Sequence, residues 1–391
     1  MFSGGAGMAI HFSVEELRAR RDRVCTELEN QGLHALLCFR QESDFYLTGY
    51  DTFGYCFFQC LLLCADGRTL LVTRAPDLRQ AQNTSVIEDI RIWTDGAGSN
   101  PLVQLVTLLD EYGCRGKSLG IEYDAYGLTA KLWRKLEKEA QGFCQFEDAS
   151  ELVTGHRLVK SEAEIEYVRR ASELADDALD AAVALIKPGA WEGDILAAMH
   201  NVIFSGGGDY PANEFIIGAG RDALLCRYFS GRKHLQQQDQ LTLEWAGSYR
   251  HYHAAMMRTI VIGEPSAEHI HMHDVSVQAL LACEETLKPG LPIGKLFEIY
   301  ARFAEENNLT QHRFNACGYS LGATFTPTWM DWPMIFQGND IRAEINMVFF
   351  LNINFVNSET QQAMTLSHTV RVNEDGCERL SRYPLDLIVI Q

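Results

Sequence analysis

Lys187-Pro-Gly-Ala-Trp-Glu-Gly-Asp-Ile195 and Lys288-Pro-Gly-Leu-Pro-Ile-Gly-Lys-Leu296 share the pattern Lys-Pro-Gly-x-x-x-Gly-x-[Ile/Leu]. Each follows a helical stretch (165–186 and 274–287) and leads into another. A single Pro-Gly pair is an ordinary helix stop, since glycine takes the left-handed turn and proline cannot continue the helix. Helix, Lys-Pro-Gly and helix occurring twice point further, to a duplicated α+β unit. Strand-like segments follow each copy: 240–245 and 259–262 after the first, 347–353 and 369–372 after the second.

Upstream the pattern changes. Ser13 with Glu16 three residues later has capping-box spacing, and Leu17, Val24 and Leu28 supply the stripe of a helix over 13–31. Short apolar runs follow at 35–39, 57–64 and 69–73, with Asp66-Gly67 as a hairpin signal between the last two. A helix over 101–112 and a strand at Leu119-Gly-Ile-Glu-Tyr-Asp124 complete a mixed α/β unit. Ser161-Glu-Ala-Glu164 then opens a capped helix running to Leu185.

Composition narrows the function classes. The chain has 391 residues, beyond one ordinary domain, so two domains are expected. Its 47% hydrophobic and 22% charged residues exclude a disordered chain. A formal charge of −18 repels phosphate backbones and anionic headgroups, so neither nucleic acid nor membrane is an expected partner. The longest mostly apolar run, 55–65, falls well short of the ~20 residues that span a bilayer. The 11 cysteines are scattered without a Cys-x-x-Cys pair and read as buried thiols. With no signal-like start at Met1-Phe-Ser-Gly-Gly, a cytoplasmic protein is expected.

The helix–Lys-Pro-Gly–helix repeat, the Glu162-Ala-Glu-Ile-Glu-Tyr167 helix entry and a strand ending in Arg258-Thr259 resemble the pita-bread family. That family comprises methionine aminopeptidases, prolidases, aminopeptidase P and creatinase. The two-domain length and Tyr46-Leu-Thr-Gly-Tyr50 resemble its prolidase–creatinase branch. The resemblance implies an N-terminal creatinase-like α/β domain over 12–155 and a pseudo-twofold α+β pita-bread catalytic domain over 160–391. It also implies a homodimer whose N-terminal domain, around 50–53, reaches the partner's pocket. An aromatic loop (Tyr46, Tyr50, Phe53, Tyr55) looks too apolar to leave in water, which supports that expectation.

Peptidases of this family hold two divalent metals with two Asp, one His and two Glu. Counted from the family's anchors, those positions fall here on Glu244, Ala255, Tyr319, Asn352 and Ser367, or His368 with a one-residue slip. An alanine donates no lone pair, and a phenol and an amide are poor partners for a divalent pair. No metal and no other cofactor is therefore expected. The closer resemblance is to the metal-free ectoine hydrolases. It is carried by Gly-Gly-Asp209-Tyr-Pro211, Glu244-x-Ala-Gly-x-Tyr249, Tyr252-His253-Ala254, Cys317-Gly-Tyr319, Pro327-x-Trp329 and Leu47-Thr-Gly-Tyr-Asp51. Two positions depart from that branch: Arg227 stands where it carries a substrate-facing His, and Ser367 where it carries an acid.

The resemblance implies catalytic roles for Glu244, His253 and Tyr319, and substrate contacts for Asp209, Arg227, Tyr249, Asn352 and Trp329. Strand alternation puts Thr242 and Glu244 on one face and Leu241, Leu243 and Trp245 on the other. Glu244 reads as a solvated strand carboxylate or, in an apolar cup, as a base or nucleophile of raised pKa. His251 and His253 share a strand face if their segment is extended; His253 reads as a packed histidine or a proton shuttle. Arg227 reads as a surface arginine or as a guanidinium paired with a substrate carboxylate. Tyr319 is a core tyrosine or a donor to a leaving group, and Trp329 a wall or a cation-stacking face. Gly206-Gly-Gly208 lacks the Lys-Ser/Thr of a phosphate loop and reads as a turn bringing Asp209 to the site.

The expected function is metal-independent hydrolysis of a C–N (amide or amidine) bond in a small zwitterionic compound, like that of ectoine hydrolase. Three alternatives stay open: a metal-dependent Xaa-Pro peptidase, a non-hydrolytic lyase, and an inactive protein that binds a small molecule or peptide.

Overall fold

A computed structural model describes residues 10–52, 54–227 and 231–391. The chain divides into two compact units, Met1–Arg157 and Leu158–Gln391. No helix among the described residues is long and apolar enough to cross a membrane.

The first unit begins with α1 (Val14–Asn30), capped as the sequence predicts: Ser13 Oγ accepts the Glu16 N–H at 3.1 Å. Its strands are β1 (Ala35–Cys38), β2 (Cys60–Cys64), β3 (Thr69–Arg74), β4 (Asp89–Trp93), β5 (Ser118–Ile121) and β6 (Gln145–Asp148). Its helices continue with α2 (Gln41–Thr48), α3 (Leu78–Thr84), α4 (Pro101–Glu111) and α5 (Ala130–Glu139), and α6 (Leu152–Leu158) closes it. The sheet order is β4-β3-β2-β1-β5-β6, with β1–β2–β3 antiparallel and the other pairs parallel. Central β1 is buried on both sides. Ala35 and Leu37 join a core with α4, and Leu36 and Cys38 join one with α1. Tyr46 and Tyr50 are also buried, in the α1-side core. They are therefore not the exposed apolar loop that the homodimer expectation used; Phe53 and the Tyr55 side chain lie outside the described residues.

The second unit is built twice. Its first half is α7 (Glu162–Leu185), α8 (Glu192–Ser205), β7 (Ile216–Ala219), β8 (Asp239–Tyr249) and β9 (Tyr252–Ile262). Its second half is α9 (Ala267–Thr286), α10 (Gly294–Glu306), β10 (Ala316–Ser320), β11 (Asp331–Phe336), β12 (Val348–Asn357) and β13 (Gln362–Asn373). Short strands β14 (Gly376–Arg379) and β15 (Ile388–Ile390) pair with β13 and β9. The sheet runs β11-β10-β12-β13-β9-β8-β7, so the two halves meet where β13 pairs with β9. This is the creatinase-like N-terminal domain and pita-bread C-terminal domain that the resemblance implies.

One face of the second sheet is covered by helices. The α7 helix starts with the expected capping box at Ser161 and Glu164 and packs on β8 and β9, while α9 packs on β12 and β13. Trp245, on the helix-facing side of β8, donates its indole N–H to Ala175 O of α7 at 2.8 Å. Beside it the backbones nearly touch: a Cβ at Gly247 would lie 1.9 Å from Ala171 O of α7. That oxygen belongs to the helix backbone and cannot rotate away. We expect Gly247→Ala to destabilise the unit by about 3 kcal/mol or more, the cost of overpacking against backbone. Thermal melting of the variant within 1 °C of the parent would contradict this packing.

Candidate active site

Strand pairing brings the site together. Met257 of β9 lies opposite Glu244 of β8 on one side and Ser367 of β13 on the other. Ser367 lies opposite Asn352 of β12, and Tyr319 of β10 lies opposite Phe350, two residues from Asn352. Directly paired residues share a sheet face, as do alternate residues of one strand. Glu244, Met257, Ser367 and Asn352 therefore form a row across four strands, with Tyr319 and Ala255 on the same face. A row of hydroxyls runs beside it. Thr242 Oγ1 lies 3.3 Å from Thr259 Oγ1, which lies 3.3 Å from Thr365 Oγ1.

The positions that sequence reasoning matched to metal ligands thus converge, and the alternation decides the last of them. Ser367 is on the site face, while His368 points to the helix layer and pairs with Glu284 of α9. A one-residue slip in a strand changes face, so the His368 alternative is excluded. The donor set is one carboxyl, one phenol, one amide, one hydroxyl and one methyl. The Ser367 hydroxyl already donates to Met257 O at 3.2 Å. Two bridged divalent ions need several anionic oxygens, and this set does not fit them.

Glu244 is 6% exposed. Burial pushes its carboxyl up to about 7, against the Arg227 guanidinium and the hydrogen bond from Tyr319, which both lower it. The Tyr319 hydroxyl, itself buried and held well above its ordinary pKa by that burial, donates to Glu244 Oε1 at 3.5 Å. It accepts the indole N–H of Trp329 at 3.0 Å, and the Trp329 backbone N–H is held by Asn213 Oδ1 at 3.0 Å. Trp329 thus aims the phenol, a role the sequence did not reveal. The Asn352 side-chain oxygen is buried and has no hydrogen-bond partner among the described residues, so an amide oriented for a missing donor stands in the same row.

Other expected residues are placed differently. His253 is fully buried with both ring nitrogens engaged: Nε2 accepts the Ala212 N–H at 3.0 Å, and Nδ1 faces Thr324 Oγ1 at 3.1 Å. Burial lowers it to about 3, so it is neutral and its Nδ1–H donates to Thr324. Such a ring is a strut, and the expected shuttle role has no free nitrogen to work through. His251 does not share its strand face. Arg250 and His251 have φ of 52° and 63°, forming the left-handed turn of the β8–β9 hairpin, and His251 stacks on Phe325. Asp209 supports that turn, its Oδ2 accepting the His251 N–H at 3.1 Å. Tyr249 has the opposite parity to Glu244 and packs edge-on against Tyr167 of α7. Tyr249 is therefore a helix-facing residue and not the substrate contact that the resemblance implies. Arg227 is exposed, on the loop between β7 and β8, and its charge reaches Glu244 and Tyr319. Neighbouring Cys226 is half-buried and was not foreseen; burial and then the Glu244 charge push its thiol up to about 11.

The comparisons with known proteins agree with this architecture. Residues 166–374 match the profile of metallopeptidase family M24, and residues 20–159 match the creatinase/prolidase N-terminal domain. Ectoine hydrolase of Halomonas elongata is 26% identical over 98% of this chain and 99% of its own. The Xaa-Pro dipeptidase of Pyrococcus horikoshii is 24% identical over 94% of this chain and 97% of its own. Among solved structures, a Thermococcus sibiricus prolidase superposes with TM-score 0.87 at 18% identity, covering 97% of this chain and 100% of its own. An Xaa-Pro dipeptidase from Bacillus anthracis gives 0.84 at 19%, covering 96% and 100%.

The buried carboxyl has a consequence for stability. In the unfolded chain Glu244 releases its proton near the model-peptide value of 4.5, and in the folded chain only near 7. Stability is therefore lost as pH rises through that window and stays reduced above it. Glu244→Gln should be more stable than the parent at pH 8 by roughly 2–4 kcal/mol and no more stable at pH 4. Urea unfolding at the two pH values measures it; an equal gain at both would refute the buried, protonated state.

Proposed function

Since the chain belongs to metallopeptidase family M24, we propose that it is a hydrolase of that family that has replaced metal chemistry with a single protein carboxylate. The reaction is hydrolysis of a C–N bond in a small zwitterionic amide or amidine. The observation that carries the reading is the site row itself. One carboxyl remains, buried, raised to about 7 and hydrogen-bonded to Tyr319, among residues that do not fit a divalent pair.

In this reading ionised Glu244 takes a proton from a water molecule as its oxygen bonds to the electrophilic carbon. The C–N bond then breaks, and protonated Glu244 returns that proton to the leaving nitrogen. A carboxyl titrating near neutrality serves both steps. Tyr319, aimed by Trp329, hydrogen-bonds the carboxylate when it is charged. Asn352 offers its unpartnered amide to a substrate N–H, and Arg227 pairs with an anionic end at the mouth. An arginine there favours a carboxylate, which a guanidinium binds through two parallel hydrogen bonds. The likeness to ectoine hydrolase supports this substrate class, while the likeness to Xaa-Pro dipeptidases supports a metal-dependent peptidase as the second reading.

Ectoine and an Xaa-Pro dipeptide, each assayed with mass-spectrometric product detection, distinguish the two readings. We expect turnover of the zwitterionic amidine or a close analogue, no stoichiometric metal by elemental analysis, and full activity in EDTA. Dipeptide cleavage abolished by EDTA and restored by Mn²⁺ would establish the peptidase instead. Within the first reading Glu244→Gln should lower kcat at least about 10²-fold with binding retained, since it removes basicity but keeps shape. Arg227→Gln should mainly raise KM, by the equivalent of roughly 2–4 kcal/mol.

A further inference from the structure

The two Lys-Pro-Gly segments do the same backbone work in their two halves. In the first, Gly189 N–H donates to Leu235 O (2.8 Å), Leu235 N–H to Ala190 O (2.9 Å) and Glu192 N–H to Lys233 O (3.0 Å). In the second, Gly290 N–H donates to Ala343 O (2.7 Å), Ala343 N–H to Leu291 O (2.8 Å) and Ile293 N–H to Ile341 O (2.9 Å). The pseudo-twofold therefore sets Glu192 against Ile293. Both are 0% exposed. The isoleucine shows that this pairing needs no carboxylate, and a buried carboxylate is costly without partners.

Glu192 has partners that Ile293 cannot have. Its Oε1 accepts the N–H of Ala219, the last residue of β7, at 2.8 Å. Its Oε2 accepts the N–H of Lys233 at 2.9 Å. Between those two donors lies the loop 220–232, which carries Cys226 and Arg227. One side chain thus ties the residue before that segment to the residue after it, using both oxygens. Two lesser ties support it: Lys233 Nζ lies 2.5 Å from Asp222 Oδ2, and Gln240 Nε2 donates to Gly220 O at 2.9 Å.

We propose that Glu192 is a positioning residue, whose two-armed tie across the ends of that segment holds the Arg227 guanidinium where it acts on Glu244. The inference rests on the reading of Glu244 and Arg227 as one working pair, and its test needs no turnover, so the two fail separately. Arg227 lowers the Glu244 titration, with Tyr319 and Cys226 as the other titratable groups coupled to it. Letting Arg227 wander should raise that titration.

Hydrogen exchange read by mass spectrometry and infrared titration of the Glu244 carboxyl, referenced to Glu244→Gln, are run on the full chain. The variants are Glu192→Ile, the residue of the second half, and Glu192→Gln, which keeps shape and one acceptor. In Glu192→Ile the amides of Ala219 and Lys233 should exchange at least about tenfold faster, with β8 and β9 unchanged. The Glu244 midpoint should rise by about half a unit or more, approaching that of Arg227→Gln, and the double variant should add nothing further. Glu192→Gln should show a smaller change in the same direction. Unchanged exchange at Ala219 and Lys233 in both variants would overturn the brace. Faster exchange with an unmoved Glu244 midpoint, where Arg227→Gln does move it, would overturn the link to Arg227. An unmoved midpoint in Arg227→Gln itself would overturn the pair on which the inference rests.

Discussion

The register with which β9 pairs on both sides is the constraint on which the rest of the second unit depends. Its side chains alternate between two buried environments, so a shift of one residue would exchange them wholesale. In the observed register Ala255, Met257 and Thr259 face the site and Arg258 faces the helices. Buried Arg258 then holds the seam from behind, donating to the carbonyls of Met257 and Ser367, both in the site row. A slipped strand would put that guanidinium among the site residues and Met257 against the helices. The same register selects Ser367 over His368, while alternation along β8 turns Tyr249 toward the helices.

The close approach of α7 complements that register. Glycine at 247 lets the helix backbone sit directly on β8, and Trp245 ties the two with its indole. A strand buried on both faces leaves Glu244 little solvent, which is why its carboxyl keeps its proton to near neutrality. The packing that stabilises the sheet thus also sets the acidity of the group best placed for chemistry. Local stability is given up for it, as at other sites where a buried acid or base is retained.

Within the duplicated architecture the two halves contribute different residues to the candidate site. The first carries Glu244 on β8 and Arg227 on its β7–β8 segment, and the second carries Tyr319, Trp329 and Asn352. A site at the join of two similar halves can diverge one side at a time without disturbing the shared backbone pairing. Glu192 and Ile293 illustrate this, since they occupy matching backbone positions and differ entirely in what their side chains do.

Much of this was legible from residue order alone, because local chemistry determined it. Ser13 and Ser161 announced their helices, Asp66-Gly67 its hairpin, and the two Lys-Pro-Gly stops the duplication, since capping and turn formation involve neighbours in the chain. The alternation in 241–245 correctly put Thr242 and Glu244 together. The remaining placements joined residues far apart in sequence, and only tertiary structure decided them. His253 reads as a shuttle until Ala212 and Thr324 occupy its nitrogens. Asp209 reads as a substrate contact, and the fold gives it a backbone partner in the β8–β9 turn. Trp329 reads as a wall until its indole meets Tyr319. A side chain's identity states which hydrogen bonds it can make, but the fold decides which are made, with which partners and at what burial.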